Sequence, residues 1–180
     1  AMHKLRTLSQ WIDRLSQAAA QVAIVLVLLC ALISVGNALS RYLFDLSSNA
    51  WLEMQWYMFA AIVMLGAANL LCKNGHIRID LLYLRLNQRQ KLYLDLFGLL
   101  LFVIPFCLAM VIYGWPWFWE AWEINERSAN AGGLIRWPVK IVIPIGFALL
   151  ILQAISECIK RILALQGEGE FDDTYQRPQQ

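Results

Sequence analysis

Four uncharged apolar runs constrain this chain more than anything else in it: Ala18–Ser40, Met54–Cys72, Leu96–Trp119 and Ile141–Ser156. A bilayer core roughly 30 Å thick is crossed by about 20 mostly apolar residues in a helix. Extending the last run by its flanks, from Pro138 to Cys158, makes all four long enough. The expectation is an all-α membrane protein with four transmembrane helices, near residues 17–40, 51–73, 92–119 and 138–160. The bare centres matter as much as the lengths. Ionisable groups at the membrane midplane are expensive and mark ion or substrate paths, and these runs hold none.

The chain has 180 residues, 59% of them hydrophobic and 16% charged, which leaves room for one membrane domain and no sizeable soluble one. That domain is expected over residues 1–166, followed by a polar, flexible tail over 167–180 that is rich in Gly, Glu and Asp. A net charge of +2 gives no argument for nucleic acid. The four cysteines, Cys30, Cys72, Cys107 and Cys158, lie in or at the ends of spans without C-x-x-C spacing. They read as small buried apolar residues rather than as a disulfide or a metal site.

Charge sets the expected topology. Of the 15 Lys and Arg, the first loop holds Arg41 and the third loop Arg127, Arg136 and Lys140. The other eleven fall on the two tails and the second loop: Lys4, Arg6, Arg14, Lys73, Arg78, Arg85, Arg89, Lys91, Lys160, Arg161 and Arg177. The positive-inside rule therefore predicts that both termini are cytoplasmic. Trp51, Trp56, Trp115, Trp117, Trp119, Trp122 and Trp137 then all fall at outer span ends, where indole favours the headgroup level. Only Trp11 lies on the inner side, so the outer rim is either an aromatic belt or a belt that also docks a partner.

Two segments read as interfacial. In residues 4–16, Leu5, Leu8, Ile12 and Leu15 recur at spacings of three and four, which predicts an amphipathic helix on the inner membrane surface. Residues 80–91 form a second such piece before the third span, and contact with another membrane subunit is the alternative for both. Pro105 is expected to kink the third span. Polar candidates sit near span ends. Ser34, Asn37 and Arg41 share a face of the first helix, and an Arg41–Glu53 pair would tie the first hairpin together. In residues 72–80, Ile77 and Ile79 alternate with His76, Arg78 and Asp80, as in a structured inner loop. The third loop has Glu120, Glu123 and Glu126 at helical spacing, Gly132-Gly133 for a sharp return, and Pro138 suited to open the last helix.

An ordered set of motifs over nearly the full length resembles one family. These are Asn37-x3-Arg41-Tyr42-x-Phe44, Ser48-x2-Trp51-x-Glu53, Gly66-Ala67-Ala68, His76-Ile77-Arg78-Ile79-Asp80, Glu126-x-Ser128-x-Asn130-x-Gly132-Gly133 and Trp137-Pro138-x-Lys140. The chain is similar to the small membrane subunit (the Q subunit, or DctQ-type small permease) of bacterial tripartite ATP-independent periplasmic (TRAP) transporters. The resemblance implies a heteromeric complex in the bacterial inner membrane. A periplasmic binding protein delivers an organic acid, and a large M-type subunit carries it across by an elevator-like, sodium-driven motion. The small subunit, which is not an enzyme and holds no cofactor, packs on the large subunit's fixed scaffold and widens it among the phospholipids. The candidate structural and partner-contact residues are Asn37, Arg41, Tyr42, Trp51, Glu53, His76, Arg78, Asp80, Glu126, Asn130, Gly132, Gly133 and Trp137.

Two other classes compete. A haem-bearing respiratory anchor needs histidines inside spans, and this chain has only His3 and His76. A small dimeric exporter needs a carboxylate deep in a helix, and Glu53 lies within a few residues of a loop.

Overall fold

The computed structural model describes residues 2–74, 83 and 85–167. Over these the chain is four long helices, each long and apolar enough to cross a membrane. Helix α1 (Met2–Phe44) joins α2 (Asn49–Cys72) through a short loop. Helix α3 (Gln88–Glu123) is followed by the loop 124–136 and by α4 (Trp137–Leu165). The sequence punctuates these elements. Asp45 at φ 55° and Asn74 at φ 50° take left-handed conformations just past α1 and α2, the geometry that ends helices. The Asn87 N–H donates to Gln90 Oε1 at 3.0 Å at the start of α3, half of a capping box. Pro138 sits in the first turn of α4, where its missing N–H costs nothing.

Residues 4–16 are not a separate surface helix, and this corrects the sequence reading. They are the first turns of α1, which runs unbroken for 43 residues, about 64 Å at 1.5 Å per residue. Ser9, Ile12 and Ser16 are buried, and the two serines meet α4. Of the second interfacial segment, residues 80–82 and 84 lie outside the described residues, as does the tail 168–180.

The third span carries its proline differently from a simple kink. Pro105 follows a π-helical stretch, Leu99–Val103, in which the Ile104 N–H reaches back to the Leu99 carbonyl. Proline has no N–H for the Leu101 carbonyl and crowds it, and widening the preceding turn is a known accommodation. Leu99, at the start of that stretch, is buried in a cluster with Ala154 and Cys158 of α4, against which Leu71 of α2 also packs, so the π turn sits over the small core.

Helix α4 is the hub, with α1, α2 and α3 each packed against it. Of its apolar window 33% is buried, against 11% in each of the other three helices. One close approach is at Gly146, where an added Cβ would lie 2.6 Å from Met64 Cβ and 3.2 Å from Met64 Cα. Small residues that let backbones meet are how membrane helices pack without a hydrophobic drive between them. Three of the four helices therefore turn most of their apolar surface outward.

Candidate functional site

Charged side chains gather at the two ends of the bundle, and the apolar runs between them hold no charge. At the end away from the described termini, the α3–α4 connection folds down over the start of α2. Arg127 and Ile135 form an antiparallel bridge, with Ser128 N bonded to Leu134 O at 3.0 Å and Arg136 N to Glu126 O at 2.8 Å. Gly132 has φ +70°, which a side chain rarely adopts, and a Cβ on Gly133 would lie 2.4 Å from Ser128 Cβ. The expected sharp return thus depends on both glycines, one for its dihedral and one for lack of space.

Glu53 holds this loop. The residue is 3% exposed, and its carboxylate accepts from the Ser128 hydroxyl, from Asn130 Nδ2 at 3.0 Å and from the Leu134 N–H at 2.8 Å. The Tyr57 hydroxyl donates to the Ile135 carbonyl at 3.0 Å, and Asn49 Nδ2 to the Ala131 carbonyl at 3.1 Å. The other flank is tied by Lys140, whose ammonium pairs with Glu126 and lies 4.4 Å from the centroid of the Trp117 ring. Trp137 packs edge-on against Trp122 with centroids 4.6 Å apart.

Among the predicted residues, Glu53, Glu126, Asn130, Gly132, Gly133 and Trp137 thus belong to this one clamp. Asn37, Arg41 and Tyr42 do not. Arg41 is exposed on the outer face of α1 beside Val35, Ala38 and Leu39, and Tyr42 is 87% exposed. The proposed Arg41–Glu53 ion pair is not formed among the described residues: three donors from the distant loop already surround the carboxylate. Trp51 is half-exposed at the start of α2. His76, Arg78 and Asp80 lie outside the described residues. Glu120 and Glu123 end α3 on its exposed face, whereas Glu126 has left the helix to meet Lys140.

The sequence reading missed the cluster at the opposite end. Ser9, Asp13 and Ser16 line one side of α1 and face Gln153, Ser156 and Lys160 on α4. The Ser9 and Ser156 hydroxyl oxygens are 2.7 Å apart, and Ser16 donates to Gln153 Oε1 at 2.6 Å. Asp13 accepts from Gln153 and Ser156, both at 2.9 Å, and pairs with Lys160 at 2.8 Å. Glu157 pairs with Lys160 at 2.7 Å and with Arg161 at 2.6 Å, and Arg161 reaches Asp95 of α3 at 3.0 Å. The Asp13, Cys72 and Glu157 ligand atoms lie within 4.8 Å of one another. Lys160 Nζ contacts all three, with Cys72 Sγ at 3.9 Å, so an ammonium supplies the positive charge there. The visible signal was local: Glu157 stands three and four residues before Lys160 and Arg161, on one helical face.

Four helices long and apolar enough to cross a membrane, with uncharged centres and, among the described residues, ion-pair clusters at their ends, define a multi-pass membrane protein. The family model for the DctQ component of tripartite ATP-independent periplasmic transporters matches residues 30–164, and the chain belongs to that family. No curated protein matches it. Membership makes the chain the small subunit of a bacterial transporter rather than an enzyme, and implies partnership with a large membrane subunit and a periplasmic binding protein.

Proposed function

We propose that this chain is the static accessory subunit of a sodium-coupled importer of organic acids, packed on the fixed scaffold of the large subunit and widening it in the bilayer. One observation carries the reading: three of four spans bury only 11% of their apolar window, while no apolar run holds a charge. A conduit needs ionisable groups at depth; a scaffold needs uncharged faces to offer. Both termini are assigned to the cytoplasm of an inner-membrane protein, on the strength of the positive-inside rule. In that orientation the Asp13–Glu157–Arg161 cluster braces the cytoplasmic end. The Glu53 clamp then holds loop 124–136 at the periplasmic surface, where residues 126–133 and the tryptophan rim are available to the binding protein. The His76–Asp80 segment is assigned to contact with the large subunit.

Glu53 weighs against the exporter reading, since its carboxylate is engaged by three donors of its own chain. Reconstitution tests the proposal. Liposomes holding both membrane subunits and supplied with loaded binding protein should accumulate organic acid under a sodium gradient, and liposomes holding this chain alone should not. Uptake by this chain alone would reject the scaffold role.

A further inference from the structure

The first half of α1 presents three faces. Ser9 and Ser16 are buried against α4. Leu8, Trp11 and Val22 form an exposed apolar face. The third face carries Arg14, Gln17 and Gln21, all exposed and three and four residues apart, so that they stack in one row.

The depth of that row is fixed by its neighbours. Ser16 bonds Gln153 at 2.6 Å, which sets the two level. Gln21 stands five residues further along α1, about 7.5 Å deeper. Because α1 and α4 run antiparallel, that is the level of Ala148, the centre of the apolar run Ile141–Ser156. The hairpin gives the same answer. Cys30 Sγ meets the Gln55 carbonyl at 3.8 Å, so Gln21 is level with Met64, well inside the run Met54–Cys72.

An outward-facing glutamine at hydrocarbon depth is an incomplete arrangement. Its amide has two donors and an acceptor, lipid chains offer it nothing, and an unbonded amide in an apolar medium is costly. Among the described residues neither Gln17 nor Gln21 has a side-chain hydrogen-bond partner. Cross-helix bonds from Gln are a standard means of membrane-helix association. Further along the same face come Ile24 and Leu28, both 61% exposed, so the row is polar for its first turns and apolar beyond. The occupant is itself a helix, because backbone at this depth has to satisfy its own hydrogen bonds.

We propose that the Arg14–Gln17–Gln21 row of α1 is the seam on which a membrane-spanning helix of the large subunit docks, through amide, hydroxyl or other hydrogen-bonding groups that complete Gln17 and Gln21. This rests on the reading of the chain as the small subunit. The test is co-expression of the tagged full chain with the large subunit, comparing wild type with Q17L/Q21L. Leucine is at home in lipid, so the double variant alone inserts and melts at or above the wild-type temperature. Its affinity for the large subunit should fall roughly tenfold, as two interhelical amide contacts are lost. Unchanged retention of the large subunit by Q17L/Q21L would overturn the proposal. So would a wild-type homodimer that the double variant dissolves while the large-subunit complex persists. Wild type failing to retain the large subunit would overturn the small-subunit reading as well, which separates the two failures.

Discussion

Arg161 is 1% exposed and bonded to two carboxylates from different helices, Glu157 at 2.6 Å and Asp95 at 3.0 Å. Replacing it with methionine keeps most of the side-chain volume but strands both acids. Removing one partner of a buried ion pair costs about 3–5 kcal/mol, because the remaining charge has lost its compensation. For a chain of this size each kcal/mol moves the midpoint by roughly 2–4 °C, so Arg161→Met should lower Tm by about 6–20 °C. Thermal unfolding in detergent, followed with a thiol-reactive fluorophore, suits this protein: Cys107 and Cys158 are free and buried in the fold. The triple variant R161M/E157Q/D95N should recover part of the loss, since it removes Arg161 together with the two acids it compensates and leaves Lys160 its partner Asp13. If Arg161→Met melts within about 2 °C of wild type, or the triple variant is no better than the single, the cluster does not brace the bundle as argued.

Gly146→Leu should force α2 and α4 apart, since even a Cβ there meets Met64; overpacking of this kind costs about 1–3 kcal/mol, read in the same melt, and an unchanged midpoint would contradict the close approach. Glu53→Gln places an NH2 donor where three donors already point, so loop 124–136 should loosen. Hydrogen exchange at the Leu134 amide would show it as a rise, and unchanged protection would count against the clamp. For topology, a fluorescent protein that matures only in the cytoplasm should be bright when fused after Gln180, and an active periplasmic phosphatase at that site would reverse the assignment.

Much of this architecture is legible in the sequence, for a physical reason. Hydrocarbon imposes a length and an absence of charge on each span, and the four uncharged runs follow the helices, with Pro138 at the start of α4. The Gly132-Gly133 return is legible too, because only glycine suits one dihedral and one contact there. What stays hidden depends on partners far away in the chain. Residues 4–16 look like a surface helix because Leu5, Leu8, Ile12 and Leu15 recur at helical spacing, yet only Ile12 of the four is fully buried. The stripe that fixes this segment is the polar one, and its complement on α4 lies some 140 residues on. Arg41 and Glu53 invite pairing because they flank a short loop. The carboxylate instead goes to Ser128, Asn130 and Leu134, which offer three donors converging on one group.

As a proposed small subunit, this chain works as one half of a membrane heteromer. The direct measurement is the mass of the complex in detergent after tagging this chain and co-expressing the large membrane subunit encoded with it. A stable one-to-one complex is the expected result. Elution of this chain alone, or as a self-sufficient dimer, would contradict it.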